Sequence, residues 1–317
     1  VQPRAAGDIT VSGAVTGSYS TLAEAYNAIG AATPTNGAVT ITVNNAYTMT
    51  AADNTAMQTG LAALPEAVTV THQATGTLTL PATFTMPAGS KASYVFSGNL
   101  AGATSVANNR NTSFRVNSTK VTMKPTQQLF LGIIYMQADG GEFTLESGKL
   151  NAYQIYYGAA KTTFTVKTNA ELYLAYRTDG TAIQKSDPGF ANMKNVIHVY
   201  GKLTQNSANT TGSNQAVNEL HMYNGSYTEM RAFGVFPGSG SANGDRKTYG
   251  EWYYHGGATS KFHQNTSVTG AIEQIHVIGT GNRALECMDY GHSNFVGGAV
   301  GWYKTPFVYG EDGTSTD

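Results

Sequence analysis

The sequence predicts an all-β protein folded as a parallel β-helix, also called a β-solenoid, with a helix that caps its N-terminal end. Three observations predict this fold class. A strand-like motif recurs about every 20 to 33 residues, glycine or asparagine follows most copies, and one clearly amphipathic helix precedes the first copy. One coil of a β-helix takes roughly 20 residues or more in three short strands, and insertions at its corners enlarge individual coils. The unequal spacing is therefore typical of this fold.

The helix is predicted near the start of the chain, in YSTLAEAYNAIGAA at residues 19–32. Thr21 followed by Glu24 forms a capping box, which marks a helix N-terminus. Four apolar side chains fall on one helical face. They are Leu22, Ala25, Tyr26 and Ile29. We place the helix at residues 20–30, where it would cover the open end of the solenoid.

The helix belongs to a predicted N-terminal cap of residues 1–35 within a single domain of residues 1–310. A second short helix is predicted at residues 54–64, and GWYKTPFVYG at 301–310 is predicted to cap the C-terminal end. Residues 311–317 are polar and predict a linker.

The repeated motif alternates an apolar residue, a polar residue and a second apolar or aromatic residue before a bend, and such alternation indicates a strand with one buried face. The clearest copies begin at Phe143, Phe164, Ile197, Leu220, Trp252 and Ile275. Weaker copies begin at Val39, Val68, Tyr94 and Phe114. An antiparallel sandwich is the competing fold and would be expected to contain Asn-Gly or Asp-Gly hairpins. Glycine-rich corners do occur, but the shared register favours parallel stacking.

The composition indicates a secreted protein and argues against several classes of binding function. Charged residues make up only 12% of the chain, against 36 glycines and 19 tyrosines, which is typical of a secreted, turn-rich β protein. The net charge of −1 argues against a general binder of nucleic acid or of anionic membranes. The most apolar run, LFLGIIYM at 129–136, is too short to span a bilayer, so we expect no membrane insertion. Cys287 is the only cysteine, so no disulfide can form within the chain.

The chain resembles a known group at its N-terminal end. SYSTLAEAYNAI, followed some ten residues later by AVTITV, is similar to the helix and first coil of right-handed, pectate-lyase-like β-helices. The same beginning is found in the adhesive domains of Gram-positive surface proteins. In length, composition and polar ends the chain resembles the binding regions of serine-rich repeat adhesins from lactobacilli. The resemblance covers most of the chain as architecture and implies an extracellular module, attached to a cell surface or cell wall, that binds host glycans or polysaccharide.

The repeat register predicts which side chains face solvent. If Ile197 and Val199 point inwards, His198 and Tyr200 point outwards. Equivalent residues of successive coils then stack about 4.8 Å apart in two columns. The outer columns contain a candidate ligand-binding set of His198, Tyr200, His221, Tyr223, Tyr253, His255 and His276. Rings offer flat apolar faces, and phenol and imidazole groups offer hydrogen bonds, so these columns suit an elongated sugar chain. Histidine predicts a pH-dependent charge near its usual pKa of about 6.5.

Basic residues are few, and some lie at the predicted corners where binding loops emerge. The candidate contacts to carboxylate groups are Arg177, Lys202, Arg231 and Arg246. Isolated, solvated charges are the simpler interpretation of each one taken alone. We expect an acidic or mucin-type glycan, such as a pectin-like polysaccharide, to be the partner of a monomeric module of a larger surface protein.

Two other functions remain open at this point. A polysaccharide lyase or glycoside hydrolase would need clustered acidic residues, and Glu219 and Glu251 are the nearest approach to a stacked pair. A structural stalk or phage-fibre segment would need no ligand. A straight histidine column does not converge on a tetrahedral centre, so we expect no metal site. We also expect no cofactor, and we favour a non-catalytic function over these two alternatives.

Overall fold

A computed structural model describes most of the N-terminal half of the chain and the strands that follow it. The described residues are 7–176, 179–180, 194–206, 219–233, 251–255, 257–264, 274–278, 284–289 and 307–309. Within these ranges the protein is mostly β, with two short helices. The all-β class is therefore confirmed.

The strands of the N-terminal half are β1 (Ile9–Gly13), β2 (Gly17–Tyr19), β3 (Gly37–Val43), β4 (Tyr47–Thr48), β5 (Val68–Thr79), β6 (Thr83–Thr85), β7 (Ser93–Ala101), β8 (Ser113–Arg115), β9 (Lys120–Pro125), β10 (Leu129–Met136) and β11 (Glu142–Tyr157). Those that follow are β12 (Lys161–Leu174), β13 (Asp179–Gly180), β14 (Lys194–Val199), β15 (Lys202–Asn206), β16 (Glu219–Met222), β17 (Tyr227–Phe233), β18 (Glu251–His255), β19 (Thr259–Gln264), β20 (Gln274–Ile278), β21 (Ala284–Asp289) and β22 (Phe307–Tyr309).

The first helix, α1 (Leu22–Ala32), forms as predicted. The Thr21 hydroxyl accepts a hydrogen bond from the Glu24 backbone N–H at 3.2 Å, and the Glu24 carboxylate accepts one from the Thr21 N–H at 3.1 Å. This capping box satisfies two N–H groups that the first turn leaves without partners. All four predicted core residues of α1 are buried, so the predicted amphipathic face is confirmed.

The second helix, α2 (Ala51–Gly60), lies earlier than the predicted 54–64. It begins there because Thr50 and Asp53 form a capping box of their own. The two helices contact each other at glycine. A Cβ atom on Gly30 would lie 2.5 Å from the Gly60 carbonyl oxygen, so only glycine allows this approach.

One long parallel ladder, here called the main ladder, runs through most of the chain. It joins β3, β5, β7, β9, β11, β12, β14, β16, β18, β20 and β22 in that order. The six clearest motif copies, Phe143 to Ile275, pair directly with one another along it. Their predicted register is therefore confirmed.

Two of the weaker copies were placed wrongly. Val39 pairs with Val70 rather than with Val68, a shift of two that keeps the same face buried. Phe114 does not belong to the main ladder, since β8 pairs with β6 and β10, and Val121 of β9 takes the expected place. Alternation identifies a strand but not the ladder to which it belongs.

Two further parallel ladders accompany the main ladder. The second ladder joins β4, β5 and β7 near its start, and β10, β11, β12, β15, β17, β19 and β21 further on. The third ladder joins β6, β8, β10, β11 and β13. The long strand β11 enters all three, through Phe143, Leu150 and Tyr157 respectively. The exception to parallel pairing among the described strands is β1, which lies antiparallel to both β2 and β3 and makes the sheet mixed.

Aromatic rings fill the interior between the ladders. Phe143 and Phe164 stack with ring centroids 4.8 Å apart, and Phe114 packs edge-on against Phe143 at 5.8 Å. Fully burying one such side chain contributes about 1.5–3 kcal/mol, so this column is a principal source of stability. The interior rings fix the spacing and phase of the strands, and thereby the side chains on their outer surface.

Candidate functional site

The predicted outer column is present on the main ladder. His198 lies between Ile197 and Val199, which are both fully buried, and this alternation turns the imidazole outwards. His198 pairs with His221, and His221 pairs with Tyr253. The column begins before His198 with the paired residues Thr144 and Thr165. It continues after Tyr253 with His276.

The rings of this first column are in direct contact. The centroids of His198 and His221 are 4.9 Å apart, and those of His221 and Tyr253 are 4.1 Å apart with an angle of only 5° between the planes. The spacing is close to the distance between neighbouring strands, so the backbone pairing imposes the stacking.

A second column stands beside the first, where the chain turns from the main ladder towards the second ladder. Tyr200 and Tyr223 stack at 4.0 Å with planes within 3°, and Tyr223 and His255 stack at 4.2 Å. Backbone hydrogen bonds hold this corner, including Tyr223 N–H to the Val199 carbonyl at 3.0 Å. Glycine is required just after Tyr200, because a Cβ on Gly201 would lie 2.2 Å from the Lys167 carbonyl oxygen.

The two columns form one surface, which we call the ring strip. It consists of His198, Tyr200, His221, Tyr223, Tyr253 and His255. Hydrogen bonds join the columns: His198 Nδ1 lies 2.9 Å from the Tyr223 hydroxyl, and His221 Nδ1 lies 3.4 Å from His255 Nε2. The side chains therefore hold one another in place before any ligand arrives, which reduces the entropy lost on binding.

The histidines of the strip do not all have ordinary protonation behaviour. Partial burial, followed in importance by the neighbouring His221, lowers the pKa of His198 to about 4. The sequence-based expectation of a charge change near pH 6.5 is therefore wrong for this residue. The pKa of Tyr223 is raised, first by burial and then by its contact with Tyr200, so its hydroxyl stays protonated and can donate to His198.

An acidic residue supports the strip from one side. Glu219 Oε2 lies 3.0 Å from His221 Nε2, and Glu219 Oε1 lies 3.8 Å from Lys194 Nζ. The hydrogen bond from His221, with help from Lys194, lowers the pKa of Glu219. A general acid of a glycoside hydrolase needs the opposite shift, a raised pKa. Glu219 is thus suited to orienting His221 rather than to donating a proton to a sugar.

Two lysines lie near the corner where the chain turns from the main ladder to the second ladder. Lys167 Nζ is 5.2 Å from the Tyr200 ring centroid, within the range of a cation–π contact. Lys202 lies just after the corner on the second ladder, with its Nζ 5.8 Å from the Tyr227 ring centroid. Its contact with a ligand stays a prediction.

The remaining predicted residues fall in less completely described parts of the chain. For His276 and Arg231 the structure gives the backbone, which pairs with Tyr253 and Asn206 respectively. Glu251 pairs with Glu219 in the same way. Arg177 and Arg246 lie outside the described residues.

Sequence reasoning missed two parts of this neighbourhood. Lys194, at the start of β14, gave no sign of its proximity to Glu219, because 25 positions separate the two in sequence. The pairing of Glu219 with His221 could have been found, since the residues at positions i and i+2 of a strand share one face.

Within the described ranges, no group of three or more histidine, cysteine, aspartate or glutamate residues is arranged to hold a metal ion. None of the helices there has the length and apolar character needed to cross a membrane. Comparison of the chain with protein-family models, with curated proteins and with solved structures finds no match.

Proposed function

We propose that this chain is the non-catalytic ligand-binding region of an extracellular bacterial adhesin, attached to a cell surface or cell wall, and that it binds host glycans, mucin or acidic polysaccharide. The ring strip is the proposed contact surface. The proposal includes the fold: the three ladders are successive sides of one right-handed parallel β-helix of the pectate-lyase-like type.

The observation that carries the proposal is the unbroken contact among six rings on one outer face. Protonation of two adjacent imidazoles would place like charges about 5 Å apart, which repel by around 1 kcal/mol even in water, so stability alone gives little reason to stack them. Stacked rings supply flat apolar surfaces that suit the C–H faces of sugars, and their edges supply hydrogen bonds. The rings repeat along the ladder axis, and this repetition suits an elongated, repeating ligand.

The charges beside the ring strip favour an acidic glycan over a neutral one. At neutral pH the positive charges beside the strip are lysines, with Lys167 against Tyr200 and Lys194 near Glu219. Below about pH 4 His198 adds a further positive charge. An acidic glycan is therefore expected to bind more tightly as the pH falls from 5.5 to 4.0, provided that its own carboxyl groups remain partly ionised.

The test is binding to a panel of neutral, uronate-containing, sialylated and sulfated glycans at pH 7.4, 5.5 and 4.0. The variants are His198→Gln and His221→Gln, each of which keeps a polar side chain but removes the ring. Thr122→Gln is the matched control, since Thr122 occupies the same outer column three strands before His198. We expect both histidine variants to weaken binding about tenfold, and the control to bind as the wild type does.

Binding that is indifferent to both histidine substitutions would remove the ring strip from the proposal. The absence of saturable binding to any glycan at any of the three pH values would favour a structural stalk. Release of unsaturated or reducing ends from a pectin-like substrate would instead establish a lyase or a hydrolase.

A further inference from the structure

A groove with a volume of about 200 Å³ lies on the second ladder, around the corner from the ring strip. Leu150 and Leu172, which pair between β11 and β12, are buried in the core, so the strand backbone around them forms the base of the groove. Polar and charged side chains from the flanking strand positions line it. Converging polar groups in a groove can fix the orientation of a small ligand.

The side chain of Asn151 offers hydrogen-bonding groups to a ligand in the groove. Asn151 is only 7% exposed and lines the groove. Its carboxamide forms no hydrogen bond within the part of the chain that the structure describes. The amide atoms are not fully enclosed, so they reach solvent through the groove, where a ligand can bond to them. A ligand hydroxyl in the groove would accept from and donate to this amide.

Two lysines give the rim of the groove its charge. Lys149 Nζ lies 3.2 Å from a Glu171 carboxylate oxygen, and Lys202 pairs with Glu171 on the neighbouring strand. Glu171 thus lies between two lysines in the register of the strands, and all three residues line the groove. The rim has an excess of one positive charge. An ammonium group has three donors, so Lys149 can bind a second carboxylate while it remains paired with Glu171.

Tyr173 supplies a ring beside Asn151. The two residues pair directly between β11 and β12, and both line the groove. The Tyr173 hydroxyl accepts a hydrogen bond from the Asn206 amide at 3.0 Å, which fixes the orientation of the ring. Thr204 pairs with Tyr173 on the next strand and adds a hydroxyl.

We propose that this groove binds one acidic monosaccharide unit, a saturated ring that carries a carboxylate and several hydroxyls, as in a uronate or a sialate. The carboxylate contacts Lys149 and Lys202, the hydroxyls bond to Asn151 and Thr204, and the ring packs against Tyr173. The choice of a sugar rests on the proposed function, whereas the location does not depend on the ring strip.

Isothermal titration calorimetry at pH 7.4 and low salt tests the site with three probes. A galacturonate tetramer and 3′-sialyllactose distinguish the two sources of carboxylate, and lactose is the neutral control. We expect one acidic probe to bind and lactose to bind at least tenfold more weakly. Lys149→Gln and Lys202→Gln should each weaken binding of the acidic probe about tenfold, since each removes a charge-assisted hydrogen bond. Lys120→Gln is the matched control, because Lys120 is also an exposed lysine paired with a glutamate, at 3.0 Å from Glu66.

Asn151→Leu separates binding from structure. Leucine is close to asparagine in shape and removes only the amide, so the thermal midpoint should stay close to that of the wild type while affinity for the acidic probe falls several-fold. If affinity is unchanged in Asn151→Leu, Lys149→Gln and Lys202→Gln, the groove is not the site. Failure of the wild type to bind either acidic probe likewise overturns the groove proposal.

The same titrations with His198→Gln and His221→Gln distinguish the two surfaces. Loss of affinity only in the groove variants supports the groove and contradicts the ring strip as the site for this probe. Loss only in the histidine variants overturns the groove and leaves the ring strip in place.

Discussion

His72 and His198 both lie on the main ladder, at positions of the repeated strand that differ by one residue. Because side chains alternate between the two faces of a strand, one histidine points inwards and the other outwards. His72 of β5 pairs with Ile41 and Phe96, an inward row, and is fully buried. His198 of β14 pairs with Thr165 and His221, the outward row. The first imidazole stacks on Phe96 at 4.4 Å and hydrogen-bonds to the Tyr26 hydroxyl at 2.8 Å. The second stacks on another imidazole at the surface.

The comparison shows that strand phase, rather than residue type, decides what a histidine does in this protein. His72 joins α1 to the core through Tyr26, which is a structural task. Burial lowers the pKa of both histidines, to about 3 for His72 and to about 4 for His198. Only the second can meet a ligand.

Substitution of a buried residue of the inner row should cause the largest loss of stability. Phe96→Ala removes the ring that packs against His72, Phe84 and Phe114, so we expect the free energy of unfolding to fall by about 3–5 kcal/mol. Tyr253→Ala, on the outer column, should lower it by about 1 kcal/mol or less. Chemical denaturation followed by circular dichroism measures both, and equal losses would contradict the division into an inner and an outer row.

The buried His72 should make the stability of the protein depend on pH. The folded pKa of His72 is depressed from 6.5 to about 3, so its favourable contribution is complete above pH 6.5 and is lost as the pH falls towards 3. Between pH 6.5 and 4.5 this amounts to about 2 kcal/mol. Urea unfolding at several pH values measures the slope. His72→Gln should be less stable at pH 7 but should have a flatter profile, and a parallel profile would refute the assignment.

The outer histidine should titrate without unfolding the protein. We expect the ring signals of His198 in NMR spectra to change with a midpoint near pH 4, well below the usual 6.5. His221→Gln removes the nearest like charge, so the midpoint should rise. Thr122→Gln, on a distant part of the same column, should leave it in place. A midpoint near 6.5 in the wild type would show that the strip is less buried than the structure indicates.

The smallest effect concerns the link between the two columns of the ring strip. Tyr223→Phe keeps the stack on Tyr200 and removes the hydroxyl that bonds to His198, so the free energy of unfolding should fall by about 0.5–1.5 kcal/mol. The His198 midpoint should change at the same time, since its partner at Nδ1 is lost. Tyr135→Phe is the control, because Tyr135 packs against Tyr156 on the third ladder and lies apart from His198.

The register of the main ladder and the outward columns could be predicted because alternation of apolar and polar residues records which face is buried. The placement of Phe114 could not, since FRV alternates in the same way on the third ladder as it would on the main ladder. The start of α2 was missed because Asp53 replaces the glutamate of the usual capping box. The inward histidine was predictable, since Val68, Val70 and His72 share one phase. The groove was not, because Asn151 between Leu150 and Ala152 has the same pattern as any half-exposed strand residue.

The antiparallel strand β1 determines which strand lies at the N-terminal edge of the sheet. Its two edges are both occupied, by β3 on one side and by β2 on the other, and β2 is only three residues long. A second chain that attempted to extend the sheet at β2 would find few unpaired N–H and carbonyl groups to template its own strand. The edge at β2 therefore offers only a short template to an added strand.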